Sequence, residues 1–430
     1  MEWLGFLESI TGKEGYTKMT SDSNYSKSKS LYNIALLRFK RNNTALFGAW
    51  IIIISIAIAI LGPLIQPDST PNANEMTLQL TTKKPGFTVY TLRVKKNDEP
   101  VGSNIFSKMI FGEKRDYREY PIYDYWFEGE NIVVESYTGL EDNNGIETRF
   151  NLADVVYPIN FNNLFKRTPD GCLEFYDFVG NKKRKTISEL IDIIETDHIV
   201  TRTYWLGTDR FGRDLLSRLF AGTRVSLSVG FISVIISLLI GVSLGAISGF
   251  FRGWVDDLIL WIIQVVWSIP TLLLVIAITF ALGKGFWQIF IAVGLSMWPE
   301  IARIVRGQIL SVREMEFVEA SKALGFSNFR IITKHILPNT MGPVIVVCAA
   351  NFASAILIEA GLSFLGIGAQ PPMPTWGGMI KDHYGYIIVD AAYLAILPGM
   401  AIMLMVLAFV LVGNGIRDAL DAKATDAKTI

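Results

Sequence analysis

Six apolar stretches set the main constraint on this chain, because each is close to the length that crosses a hydrocarbon layer. The first, ALFGAWIIIISIAIAILGPLI at 45–65, contains no charge. At ~1.5 Å of rise per residue a helix of that length reaches ~30 Å, one bilayer core. A cleaved leader is a poor reading, since a long polar segment precedes the run and no small-x-small site closes it. Five more candidates follow at 225–251, 258–282, 286–304, 341–367 and 391–412. The run at 286–304 is the weakest, with Glu300 and Arg303 in its last turn. A charge at mid-bilayer costs ~2.5–3.5 kcal/mol, so that end belongs at the interface or beyond it.

Composition agrees. Of 430 residues 50% are hydrophobic and 19% charged, against ~25% charged in soluble domains. The 40 basic and 40 acidic residues cancel, which argues against nucleic acid as a whole-chain partner. Arrangement therefore says more than net charge. Lys27, Lys29, Arg38, Lys40 and Arg41 precede the first span, and Arg303, Arg306, Arg313, Lys322, Arg330 and Lys334 lie around the loop between spans four and five. Arg417 and Lys423 follow the last span, whereas LGKGF and 368–390 are poor in base. Short-loop bias then puts both termini and the 305–340 loop in the cytoplasm. The expected organisation is a cytoplasmic segment 1–44, a first span 45–65, an outer insertion 66–204, an interfacial segment 205–224, a multi-span domain 222–418 and a tail 419–430.

The insertion reads as a small α+β domain. FTVYTLRV (87–94), NIVVESY (131–137) and CLEFYDFV (172–179) alternate as strands, and TISELIDIIE (186–195) is amphipathic with Thr186 or Ser188 near its cap. The basic KKRK at 182–185 is weak counter-evidence to an outer location, since long loops translocate largely regardless of charge. At 207–222, Leu215, Leu216, Leu219 and Phe220 share one face with Arg213 and Arg218 on others, which reads as an interfacial helix; Asp209 and Asp214 fix turns there or meet a neighbouring subunit.

Several motifs carry less than they suggest. GVSLG at 241–245 fits the nucleophile-elbow pattern, but it lies inside a span, and Gly241, Gly245 and Gly249 recur at the spacing that lets helices approach closely. The three histidines, His198, His335 and His383, are scattered and form no metal-ligand pattern. Cys172 and Cys348 lie in unlike contexts, so a disulfide framework is not expected. No phosphate loop is present, and if nucleotide drives the protein another chain binds it. No cofactor or metal is expected. Polar residues within spans are functional candidates: Gln264 and Asn351 either line a translocation path or bond across helices, while Glu359 is read as structural, near the outer interface. Pro270 and Pro398 are expected to kink their helices.

The decisive stretch is EFVEASKALGFSNFRIITKHILPN, 316–339, a polar, glycine-broken pair of helical segments pinned between two spans. Phe317, Ala320 and Leu324 recur at i, i+3, i+7, and Glu319 can pair with Lys322. Gly325 ends the first helix, Ser327 caps a second with Phe329, Ile332 and Ile336 on one face, and Pro338 is expected to end it. A DNA-reading helix–turn–helix is disfavoured by the tether at both ends. A loop lying on lipid and a docking knob for a cytoplasmic partner remain.

Glu319, Ala320, Ser321, Gly325, His335, Leu337 and Pro338 follow the cytoplasmic-loop pattern of binding-protein-dependent ABC importer permeases, with Ser321 in place of a second alanine and His335 where isoleucine is common. The segments 36–52, 206–230, 359–380 and 413–421 resemble, in order, the C-type permease of the dipeptide, oligopeptide and nickel importers. The resemblance covers 30–66 and 204–421 and leaves the insertion unmatched. It implies an all-α polytopic fold of six transmembrane helices with an α+β insertion between the first two. It further implies a non-catalytic peptide-importer subunit in a bacterial inner membrane, with a second homologous permease, two ABC ATPases and an extracytoplasmic peptide-binding protein as partners. Nickel or an antibiotic peptide is an alternative cargo, and a membrane-anchored sensor is an alternative class.

Overall fold

The computed structural model describes residues 31–98, 104–140, 142–159, 166–283 and 285–420. The expectations for the segment before residue 31 (with Lys27 and Lys29), for Lys284 in the LGKGF turn and for the tail beyond 420 (with Lys423) lie outside these residues.

Helix α1 (Leu31–Arg41) leads through Asn42, whose side chain accepts from the Ala45 N–H, into α2 (Asn43–Ile65). The insertion follows. It contains β1 (Phe87–Lys95), α3 (Ile105–Phe111), β2 (Tyr117–Glu128), β3 (Asn131–Ser136), β4 (Glu147–Asn151), α4 (Leu152–Val156), β5 (Lys166–Arg167), β6 (Cys172–Tyr176), β7 (Lys182–Thr186), α5 (Ile187–Ile193) and β8 (Ile199–Tyr204). The main sheet runs β4-β3-β2-β1-β8 and a small one runs β5-β6-β7, with antiparallel pairing throughout. The first and last strands pair, Phe87 opposite Tyr204, so the domain enters and leaves the bundle at one place. Its core, including Leu92, Ile122, Ile132, Leu152, Phe175 and Leu190, is sealed by α4 and α5. Thr186 caps α5 in a reciprocal capping box with Glu189. The basic run at 182–185 is the β7 strand, neutralised along its own sheet: Lys182 pairs with Glu174 and Arg184 with Asp170.

The bundle continues with α6 (Leu215–Phe251), α7 (Gly253–Trp267), α8 (Thr271–Leu282) and α9 (Phe286–Val312). Next come α10 (Glu316–Ala323), α11 (Asn328–Phe364), α12 (Trp376–His383) and α13 (Tyr393–Leu420). Among the described residues five helices are long and apolar enough to cross a membrane: α2, α6, α9, α11 and α13. The stretch expected as one span at 258–282 is instead α7 and α8, bent by 94° at a short break, a broken span or a re-entrant pair. Pro270 stands at the break; it has no N–H to give and steers Ile269 out of helical geometry.

Helices α6 and α9 meet along a glycine face. A Cβ on Gly245 would lie 2.5 Å from the Ala302 carbonyl oxygen, one on Gly241 2.7 Å from Ile301 Cβ, and one on Gly249 2.9 Å from the Arg306 carbonyl oxygen. Gly294 on α9 answers, 2.7 Å from Ile236 Cβ. The GVSLG motif is thus packing, because lipid supplies no hydrophobic drive between helices and close backbone contact must hold them.

Two expectations change here. Helix α9 runs on to Val312, so Glu300 and Arg303 are not in its last turn; Arg303 lies 3.8 Å over the Trp267 ring. The 207–222 segment is not a separate interfacial helix. The chain turns from 207 to 214, then α6 runs unbroken, with Leu215, Arg213 and Arg218 all buried. The two arginines are drawn inward because Asp209 lies beside them, 2.6 Å from Arg213 Nε and 3.6 Å from Arg218 Nε.

Replacing Gly245 with leucine forces a side chain into the Ala302 backbone, so the midpoint of thermal unfolding in detergent should fall by an amount equivalent to ~2 kcal/mol or more. Gly361→Ala, where a Cβ meets nothing within 4 Å, should not lower it. In the insertion, burial holds the His198 imidazole below its usual range, while Nδ1 sits 2.6 Å from the Arg93 carbonyl oxygen. The unfolded chain then takes up the proton first. This contribution to stability is complete above ~pH 6.5 and is lost as the pH falls below that value. The unfolding midpoint should drop between about pH 7.5 and pH 5.5, and by less in His198→Gln.

Candidate functional site

The 316–338 elbow is built on the ends of α6 and α9. Val318 and Ser321 of α10 and Ile331 and Ile336 of α11 are buried, and the three aliphatic side chains join Ala246, Phe250, Val305, Ile309 and Val312 in one apolar cluster. Ser321 donates to the Phe317 carbonyl oxygen at 2.7 Å, so its small side chain is satisfied within the helix.

Helix α10 ends in a Schellman motif. The Phe326 N–H reaches the Ser321 carbonyl at 3.2 Å and the Gly325 N–H reaches that of Lys322 at 2.9 Å. Gly325 takes φ +76° with open space around it, so glycine is needed there for conformation rather than for room. Ser327 caps the next helix, its side chain accepting from the Arg330 N–H. The Phe326 ring stacks on His335 at 5.7 Å, and the Arg330 guanidinium lies 4.2 Å from its centroid.

Three features depart from the sequence reading. Pro338 does not end the helix; α11 runs from Asn328 to Phe364. A π turn, Ile331–Ile336, precedes it, and the Leu337 N–H reaches back to the Ile332 carbonyl, giving the proline ring a widened turn to occupy. That extra residue also splits the expected stripe, leaving Phe329 77% exposed while Ile336 is buried. Glu319 and Lys322 are both exposed and no ion pair joins them; the Lys322 ammonium lies 6.0 Å from the Phe250 ring.

The outer side of the elbow carries Glu319, Ala320, Gly325 and Pro338, all exposed, with Leu324 71% and Phe317 38% exposed. Its flanks are clamped. Arg306 grips Asp256 through two 2.6 Å contacts, Arg252 pairs with Glu314, and Arg313 donates to the Phe250 carbonyl. The arrangement is a rigid knob, anchored on one side and bare on the other.

The remaining candidates separate. Asn351 is buried within α11 and its amide nitrogen has no hydrogen-bond partner among the described residues, whereas Gln264 is exposed on α7. Glu359 is buried as well, with one oxygen accepting from Ser363 Oγ at 2.6 Å and the other without a hydrogen-bond partner among the described residues. No group of three or more potential metal ligands occurs among the described residues.

Residues 241–426 match the family model of the binding-protein-dependent transport system inner membrane component, and 30–81 match the N-terminal TM domain of oligopeptide transport permease C. The dipeptide transport system permease protein DppC of Alkalihalophilus pseudofirmus is 46% identical over 220 residues, 51% of this chain and 72% of that one. The chain belongs to this family of ABC importer permeases. The glutathione transport system permease protein GsiD of Pectobacterium atrosepticum is 40% identical over 220 residues, covering 51% of this permease and 73% of that one. Among solved structures, the inward-facing MetNI methionine ABC transporter is similar at a TM-score of 0.41 and 20% identity, over 48% of this chain and 98% of that one. The two family models leave 82–240, with both sheets of the insertion, between them.

Gly325→Val should cost ~1–2 kcal/mol of local stability through its left-handed backbone alone, and Ser327→Ala ~1 kcal/mol through the lost cap. Hydrogen exchange across 316–338 should quicken in both, with exchange in the insertion sheet unchanged.

Proposed function

We propose that this permease is the non-catalytic membrane subunit of an ATP-driven importer of short peptides. It pairs with a second, homologous permease, takes mechanical input from two ABC ATPase subunits and receives cargo from an extracytoplasmic peptide-binding protein. Both termini and the elbow face the cytoplasm of a bacterial inner membrane, and the insertion faces outward. The observation that carries this reading is the two-sided elbow. Its inner face is locked to α6 and α9, so force applied to the knob reaches long helices without a slack joint. Its outer face leaves Phe317, Leu324 and Phe329 uncovered beside Glu319 and Lys322, apolar area to bury with charges to orient a partner. The peptide cargo is supported by the relatives, which are permeases of dipeptide and glutathione transport systems. ATP can shift an inward–outward equilibrium only through contacts that differ between the two states, and the ATPase cleft around this elbow supplies them.

Reconstituted with its partners, Glu319→Lys or Leu324→Asp should cut peptide uptake at least tenfold and uncouple ATP hydrolysis from binding protein. The amount of permease in the membrane should stay unchanged. Crosslinks from position 324 should land on an ATPase; crosslinks to lipid or outer-face proteins alone would overturn the reading.

A further inference from the structure

At the other end of the bundle, where the insertion joins, a cavity of about 210 Å³ lies between the 207–214 turn, the end of α11 and α12. We propose that this recess is a carboxylate-binding site that holds the C-terminal residue of the peptide cargo, an inference that rests on the peptide reading above.

The floor carries Arg213 and Arg218, 4% and 5% exposed, and the rim carries Arg210 and the exposed Lys381, whose ammonium lies across Gly366. Two carboxylates answer these four cations. Asp382 sits 3.1 Å from Arg210 Nη2. Asp209 serves both floor arginines, yet its Oδ1 is already taken by the Phe211 and Arg213 backbone N–H groups, at 2.8 and 3.0 Å. Among the neighbouring acids, Asp214 Oδ1 and Glu359 Oε2 make no hydrogen bond among the described residues, and neither carboxylate pairs with an arginine of the recess. Asp68 bonds the Thr70 backbone and side chain and faces Arg115 at 3.4 Å, while Asp214 caps α6 through Ser217. Arg210 Nε, Arg213 Nη2 and Arg218 Nε therefore remain buried with no hydrogen-bond partner among the described residues.

Buried guanidinium N–H groups without acceptors are costly, and a planar carboxylate matches their fork. The rest of the lining is mixed, with apolar Met76, Phe211, Met373 and Met379 beside polar Asn74 and Gln370. A hydrated inorganic anion gains nothing from the apolar part of these walls, whereas a carboxylate bearing an apolar side chain uses both the cations and the methionine and phenylalanine surface. The space is below the ~300–1,000 Å³ of a pocket for a whole drug-sized ligand, so it suits one terminal residue with the rest of the peptide outside. The site lies where the insertion, the α11 end and α12 converge, at the mouth through which cargo would be handed over.

The test uses the complete reconstituted transporter at saturating binding protein, with a tripeptide ending in phenylalanine and its C-terminal amide as probes. Wild type should import the free acid roughly tenfold faster than the amide. In Arg210→Gln combined with Lys381→Gln, which spares the buried floor arginines, that ratio should fall to near one. An unchanged ratio, a wild type that imports both equally, or a proportional loss of both peptides would each overturn the proposal; the last would mark the rim as a docking surface for the binding protein. Import of neither peptide by wild type would instead defeat the peptide reading itself, and this inference with it.

Discussion

The close approach of α6 and α9 is the contact on which the rest of the bundle depends. Gly241, Gly245 and Gly249 bring one backbone against Ile301, Ala302, Val305 and Ile309 of the other. In lipid an apolar side chain gains nothing by leaving its surroundings for another helix, so dense contact and backbone proximity must do the holding. That seam also creates a platform. Ala246 and Phe250 from one helix and Val305, Ile309 and Val312 from the other form the surface on which Val318, Ile331 and Ile336 sit. Side chains in place of the glycines would part the helices and remove the elbow's seat.

Charge is handled differently at the two ends. At the elbow end, ion pairs brace the joints around the knob: Asp256 with Arg306, Arg252 with Glu314. These pairs are partly hydrated and fix geometry more than they add stability. At the insertion end Asp68, Arg115 and Glu119 are deeply buried. Arg115 bridges Asp68 and Glu119, Glu119 also receives Arg93 and Arg202, and the Asp68 N–H donates to Ser217 on α6 at 2.9 Å. Further bonds stitch the domain down, from the Lys83 N–H to Thr208 and from the Tyr393 hydroxyl to the Lys83 carbonyl. Buried pairs are weak stabilisers compared with apolar packing but strict about partners. Here they stiffen the insertion around Asp68 and Glu119, while the bonds to Ser217, Thr208 and Tyr393 tie it to the bundle.

Much of this was legible in the order of residues, because period and punctuation are local. Runs without charge mark the spans; alternation marks β1, β3 and β6; Thr186 with Glu189, Gly325 and Ser327 mark helix ends through bonds to their own neighbours. Alternation does not mark β2, β4, β5, β7 and β8, which are fixed by pairing with neighbouring strands. The split between Phe329 and Ile336 was equally hidden, because one inserted residue in a π turn rotates everything after it.

By itself, then, the sequence determined that the chain must meet a bilayer, that Gly325 and Ser327 punctuate the segment 316–338, and that this stiff polar elbow stands between two apolar helices. Each of these follows from forces acting within a few residues. Only the tertiary structure decided that Pro338 is carried inside a helix, that 258–282 breaks into two helices at 94°, and that Arg213 and Arg218 turn inward toward one aspartate above an open recess. Such outcomes depend on which distant groups are available as partners, and the desolvation of a buried charge is set by those neighbours rather than by its place in the chain.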